Sequence, residues 1–159
     1  MNTTFNWRAY ASLLLSKQML STINDHLKPG GMAYYNTTYS PRVIATALQQ
    51  FKYVIGISDL VLCSNRPFHF NKKRLLTALA NDRIDGVHIF NLKNPKDREV
   101  RRKWADLPQG LLHNKPYTVS NVSTSMQSQK VLANFSKHAR IITDNNMGDE
   151  WHPLHYFND

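Results

Sequence analysis

A proline followed by two glycines, Pro29-Gly30-Gly31, forces a hard stop on any helix that precedes it. Proline cannot continue the hydrogen-bond ladder, and glycine takes the left-handed backbone that ends a helix. Upstream, Leu13, Leu20, Ile23 and Leu27 recur at helical spacing, and Ser12 and Ser16 are both candidate caps. Ser16 is the better one, giving a helix from there to about Leu27. Downstream, Met32 to Tyr35 reads as a short strand leading into Asn36-Thr37-Thr38. Ser40-Pro41 opens a second helix, with a capping hydroxyl and proline at the first helical position. Ile44, Ala47, Leu48 and Phe51 form its apolar face. Strands at Tyr53 to Ile57 and Leu60 to Ser64, joined by a turn near Ser58-Asp59, then read as an antiparallel pair. The alternation predicts an α/β layer.

The rest of the chain is less regular. A helix is expected over Lys72 to Asn81, burying Leu75, Leu76 and Leu79. Lys72, Lys73 and Arg74 in its first turn have the wrong sign for a helix N-terminus, which argues against Asn71 as its cap. Asn94-Pro95 starts another helix through about Trp104, with Asp97–Arg101 and Glu99–Lys103 at ion-pair spacing. Residues 106–122 read as loop. Val131, Leu132 and Phe135 predict a helix from Met126 to Lys137, and Arg140 to Thr143 a final short strand.

Composition bounds the function classes. The longest aliphatic run is Leu13 to Leu15, far short of the roughly 20 apolar residues that span a bilayer. Met1 to Tyr10 lacks the basic flank and apolar stretch of a signal peptide. The single cysteine, Cys63, excludes an internal disulfide, is expected in the core and fits a reducing cytoplasm. The sequons at Asn2, Asn36, Asn121 and Asn134 matter only in a secreted chain. The net charge of +9 is uneven. Residues 61–110 hold eleven basic and five acidic groups, whereas residues 111–159 hold four of each. A basic middle third attracts polyanions, nucleic acid among them, although most charge runs are simply solvated.

Several segments together resemble a known family. Leu27-Lys28-Pro29-Gly30-Gly31 is similar to the helix-to-strand turn of class I S-adenosylmethionine-dependent methyltransferases. Asn2-Thr3-Thr4-Phe5-Asn6-Trp7-Arg8, Leu14-Leu15-Ser16, and Tyr35-Asn36-Thr37-Thr38-Tyr39-Ser40-Pro41-Arg42-Val43 resemble the spermidine-synthase-like branch of that superfamily. Ser64-Asn65-Arg66-Pro67 and Ile142-Thr143-Asp144-Asn145-Asn146-Met147-Gly148-Asp149-Glu150-Trp151 extend the likeness, to which residues 85–135 add little. The resemblance implies a Rossmann-like α/β fragment: the last strands of a mixed sheet with flanking helices and a helical C-terminal extension. Residues 1–67 would be the C-terminal half of the transferase domain, and residues 68–159 the extension packed on it.

That family holds S-adenosylmethionine, or its decarboxylated form, on a glycine-rich turn with an acidic residue at the end of the next strand. The six glycines here form no such turn, so no cofactor site is expected in this chain alone. By the resemblance, Met1 to Thr4 ends the fourth strand of the sheet, and the acid that acts on the attacking amine belongs there or just before it. No carboxylate precedes Asp25. By the resemblance, the chain reads as the truncated C-terminal half of a transferase, lacking the cofactor-binding half and inactive by itself, with either a homo-oligomer or a separate N-terminal half as its partner.

The substrate-binding candidates follow from the same frame. Asn2, Thr3, Asn36, Thr37 and Thr38 are expected at the carboxyl ends of neighbouring strands, the edge where open α/β sheets bind ligands. Their other reading is helix capping. Asp144, Asp149 and Glu150 form the densest acidic group and, by resemblance, border the amine pocket, although Asn145 departs from the family's Thr-Asp-Asp pattern. Asp149, Glu150, His152 and His155 match no strong metal signature and are interrupted by Pro153, so no metal site is expected.

Overall fold

The computed structural model describes residues 11–37, 40–106, 108 and 126–146. Helices α1 (Ala11–Leu14) and α2 (Lys17–His26) lead into strand β1 (Met32–Asn36). Helix α3 (Pro41–Gln50) and the hairpin of β2 (Tyr53–Ile57) and β3 (Leu60–Ser64) follow. Next come α4 (Lys72–Asn81), the small hairpin β4 (Arg83–Ile84) and β5 (Val87–His88), and α5 (Pro95–Asp106). The chain returns to the first layer with β6 (Met126–Gln127) and α6 (Gln129–Phe135). Among the described residues no helix is long and apolar enough to cross a membrane.

Local chemistry accounts for most boundaries. Ser16 caps α2 by accepting the Met19 N–H at 3.2 Å, and Ser40 caps α3 with Pro41 at the first position. Leu13 falls in α1, ahead of this cap, and is exposed instead of sharing the apolar face of α2. After α2, Gly31 N–H donates to Lys28 O at 2.7 Å, with proline at the second position and Gly30 at φ +80. This is the signature of a type II turn. A side chain on Gly31 would sit 2.9 Å from Lys28 O, so both glycines are required.

The main sheet has the order β1-β3-β2-β6, and every ladder among the described residues is antiparallel. Since β1 and β2 each oppose β3, they run parallel to one another. Helix α3 carries the chain from β1 to β2 across a gap one strand wide, and β3 folds back into that gap. Helices α2, α3 and α6 contribute Leu20, Val43, Ile44, Ala47, Val131 and Leu132 to one core. There they meet Ala33, Tyr35, Val54, Val61 and Cys63, which the register places on one face of the sheet. The opposite face carries Met32, Tyr34 and Tyr53, all exposed, and Leu60, Leu62 and Ile57, half-buried.

Two expectations change near the C-terminus. Met126 and Gln127 do not begin a helix. They pair with Ile57 and Gly56 at the edge of β2, and α6 starts at Gln129, capped by Ser128, three residues later than expected. Gln129 prolongs the ladder by accepting the Val54 N–H at 3.0 Å. Residues 140–143 are not a strand either. Ile142 is fully buried, but its O accepts the Lys17 N–H at 2.8 Å and its N–H donates to Thr46 Oγ1 at 2.9 Å. The segment therefore laces two helices together instead of extending the sheet.

Helices α4 and α5 pack on each other. Asn71 does cap α4, accepting the Arg74 N–H at 2.9 Å. The basic first turn is offset by an ion pair between Lys72 and Asp106 at the end of α5. Leu75, Leu76 and Leu79 are half-buried, not buried. Glu99 pairs with Lys103 at 2.9 Å, whereas the Asp97 carboxylate turns away from Arg101 and accepts the Asn91 N–H at 2.8 Å.

Candidate functional site

The parallel strands β1 and β2 end at the same edge of the sheet. At that edge Asn36 closes β1, and the two-residue loop Ser58-Asp59 joins β2 to β3, with Ser58 at φ +56. The Asp59 carbonyl accepts both the N–H of Thr37, at 2.7 Å, and its hydroxyl, at 2.8 Å. The Asp59 carboxylate accepts from Asn36 Nδ2 at 3.1 Å while remaining half-buried. Thr37 O then accepts the Ser40 N–H at 2.9 Å, turning the chain into α3. Thr37 is fully buried with its N–H and hydroxyl committed to Asp59, so it positions the edge. Asn36 and Asp59 supply the polar side chains there.

A second loop reaches the same edge through Arg42, in the first turn of α3. Its Nε donates to Arg140 O at 3.2 Å, and its Nη2 to Asn146 O at 3.1 Å and Asn146 Oδ1 at 3.2 Å. Asn146 folds the loop on itself, accepting the Thr143 N–H at 2.7 Å and donating to Ile141 O at 2.8 Å. Asp144, exposed, donates its N–H to Gln18 Oε1 at 3.2 Å near the start of α2. The starts of α2 and α3 and the ends of β1 and β2 therefore gather Asn36, Thr37, Asp59 and Asp144 at one end of the layer. Asn2, Thr3, Thr38, Asp149, Glu150, His152 and His155 lie outside the described residues.

Asp59 is the residue that sequence reasoning missed. It was legible as a turn residue, since aspartate is common in tight loops. Its place beside Asn36 follows from the register Asn36↔Leu60, which brings the β2–β3 loop next to the end of β1. The arrangement offers amide and carboxylate groups at a strand edge, chemistry suited to a cationic or hydroxylated ligand.

Cys63 and Tyr35 are a different kind of pair. Both are buried on the core face, and Cys63 Sγ lies 3.8 Å from the Tyr35 hydroxyl. Burial pushes the thiol up to about 12, and burial, then the neighbouring sulfur, raises the Tyr35 phenol well above its usual value. A thiol in that condition is not a nucleophile near neutral pH. Tyr34, the next residue, faces the other way and is exposed, as strand alternation requires. Among the described residues no three histidine, cysteine or carboxylate groups cluster as a metal site would require.

No protein-family model, no curated protein and no solved structure matches this chain.

Proposed function

We propose that these residues form the acceptor side of a Rossmann-like, S-adenosyl-dependent transferase of the spermidine synthase type, with no cofactor site of their own. The observation that carries the reading is the Asn36–Asp59 pair at the carboxyl edge of two parallel strands joined through a helix. A β-α-β unit of this kind is the building block of open α/β sheets, whose ligands bind at that edge. Aminopropyl transfer is attack by a neutral amine on a carbon next to a sulfonium, and the other nitrogens of a polyamine acceptor remain cationic. A carboxylate at the edge pairs with one of them and aligns the chain, which is where such catalysis gains most of its rate. Asp144 stands on the same side. The base that would take the amine proton is not among the residues assigned here. Holding the sulfonium nucleoside falls to other residues; among the described glycines, Gly30, Gly31 and Gly86 serve turns and Gly56 serves close packing.

The test is a titration of the isotopically labelled protein with putrescine and with spermidine at constant ionic strength. Saturable amide shifts at Asn36, Thr37 and Asp59 are expected. Shifts confined to the acidic positions of α4, α5 and their hairpin, or none, overturn the reading. Calorimetry with S-adenosylmethionine or its decarboxylated form should give no heat of binding to this chain alone, and uptake at micromolar strength removes the proposal.

A second reading, half of a split assembly or a homo-oligomer, draws on the exposure of Met32, Tyr34 and Tyr53 on one sheet face. Apolar surface of that kind marks contact sites. Light scattering separates the two readings: a monodisperse monomer with cooperative melting counts against the assembly.

A further inference from the structure

Lys72 and Asp106 form an ion pair, which sets the first turn of α4 against the last turn of α5. Two basic clusters far apart in sequence, Lys72-Lys73-Arg74 and Arg101-Arg102-Lys103, thereby meet at one end of the helix pair. The other end, around the close of α4, the β4–β5 hairpin and the start of α5, mixes the acidic Asp82, Asp85 and Asp97 with the basic Arg83, Lys93, Lys96 and Arg98. Positive charge is thus concentrated at the Lys72–Asp106 end of the pair. Asp106 neutralises Lys72 and Glu99 neutralises Lys103. Lys73, Arg74 and Arg102, all exposed, and Arg101, half-buried, are left with no carboxylate at ion-pair distance among the described residues. Trp104, on the same last turn of α5, is 56% exposed. A shallow groove of about 480 Å³ runs along α4, where Lys73 and Arg74 line it with Asn71, Thr77 and Ala78 among the described residues.

We infer that this end of the α4–α5 pair binds single-stranded nucleic acid, independently of the transferase reading. Four uncompensated cations attract a phosphate backbone, and an exposed indole beside them gives a base a stacking surface. The combination favours a single strand over a duplex, in which the base faces are already stacked. It also favours nucleic acid over a lipid surface, because the most exposed apolar side chains, Ile84 at 65% and Val87 at 70%, sit in the hairpin at the opposite end of the pair.

The test uses a fluorescently labelled oligothymidylate, the matching duplex, and phosphatidylserine vesicles, all with the full chain. Engagement of four phosphates predicts that affinity for the single strand falls by about 50-fold between 50 and 200 mM salt. The triple variant Lys73→Ala/Arg74→Ala/Arg102→Ala should flatten that dependence to roughly a single contact. The double variant Lys93→Ala/Lys96→Ala, which lowers the net charge at the other end, should leave it unchanged. Oligonucleotide should quench tryptophan emission in the wild type and not in Trp104→Phe, where Trp7 and Trp151 remain as internal reference. Circular dichroism confirms that each variant is folded. Lack of binding at low salt, equal loss in both charge variants, quenching that persists without Trp104, or capture by vesicles in place of oligonucleotide would each overturn the inference.

Discussion

Thr46 Oγ1 accepts the backbone N–H of Ile142 at 2.9 Å while donating to Arg42 O at 2.7 Å, joining the middle of α3 to a segment 96 residues away. Both Thr46 and Ile142 are fully buried, so neither group has water as an alternative. Replacing Thr46 by valine keeps the shape and strands the Ile142 N–H, at a cost of about 1–3 kcal/mol. Thr46→Ser retains the hydroxyl and should lose about 1 kcal/mol or less, the worth of a small buried methyl. Urea denaturation compares the two, and equal losses would show that the hydroxyl does not hold the segment.

Gly56 faces the same packing from the strand side. A methyl group there would stand 3.2 Å from Gln127 Cβ and 3.2 Å from Leu132 Cδ2, where β6 and α6 close over β2. Gly56→Ala is expected to destabilise by about 1–3 kcal/mol through overpacking. Amide exchange should accelerate first in residues 126–135. Unchanged protection there would mean that the return segment gives way without cost.

The buried thiol makes stability depend on alkaline pH. With Cys63 raised from 9.0 to about 12, the folded state keeps a proton that the unfolded state releases. Its contribution is complete below pH 9 and is lost as pH climbs from 9 towards 12, by up to about 1.4 kcal/mol per pH unit. The Tyr35 phenol, also raised, adds a loss of the same sign above pH 10. Urea midpoints measured from pH 7 to pH 11 should fall along this course, and Cys63→Ala should make the limb shallower from pH 9. A variant as steep as the wild type would place the titrating group elsewhere.

Asp59→Asn separates the two roles of that residue. The clamp on Thr37 uses the Asp59 carbonyl, and Asn36 can still donate to an amide oxygen, so stability should change by less than about 1 kcal/mol. The amine response proposed above should disappear with the charge. Retention of the full response in Asp59→Asn would move the amine site away from this edge.

Where the sequence carried local signals, the fold was readable from it. Ser16, Ser40-Pro41 and Pro29-Gly30 mark their boundaries through groups that act within four residues, and α2, α3, β1, β2 and β3 lie close to where those signals put them. The misplaced segments are governed by distant partners. Met126 and Gln127 have no strand signal of their own and are extended because the open edge of β2 accepts them. Ile142 is held by Thr46 and Lys17, which no periodicity in residues 140–143 announces. Asp59 escaped notice for the same reason: its neighbour Asn36 is 23 residues away, across a ladder. The wrong-sign charges on α4 were a real conflict, resolved by an aspartate 34 residues further on.

The position of β3 between β1 and β2 has a kinetic consequence. The two outer strands share no hydrogen bonds, so α3 alone can bring them near each other without fixing their spacing. Neither can lock until the last of the three has been synthesised and threaded into the slot. Substitutions in β3 should therefore slow the refolding step itself, while those in α6 should chiefly hasten unfolding.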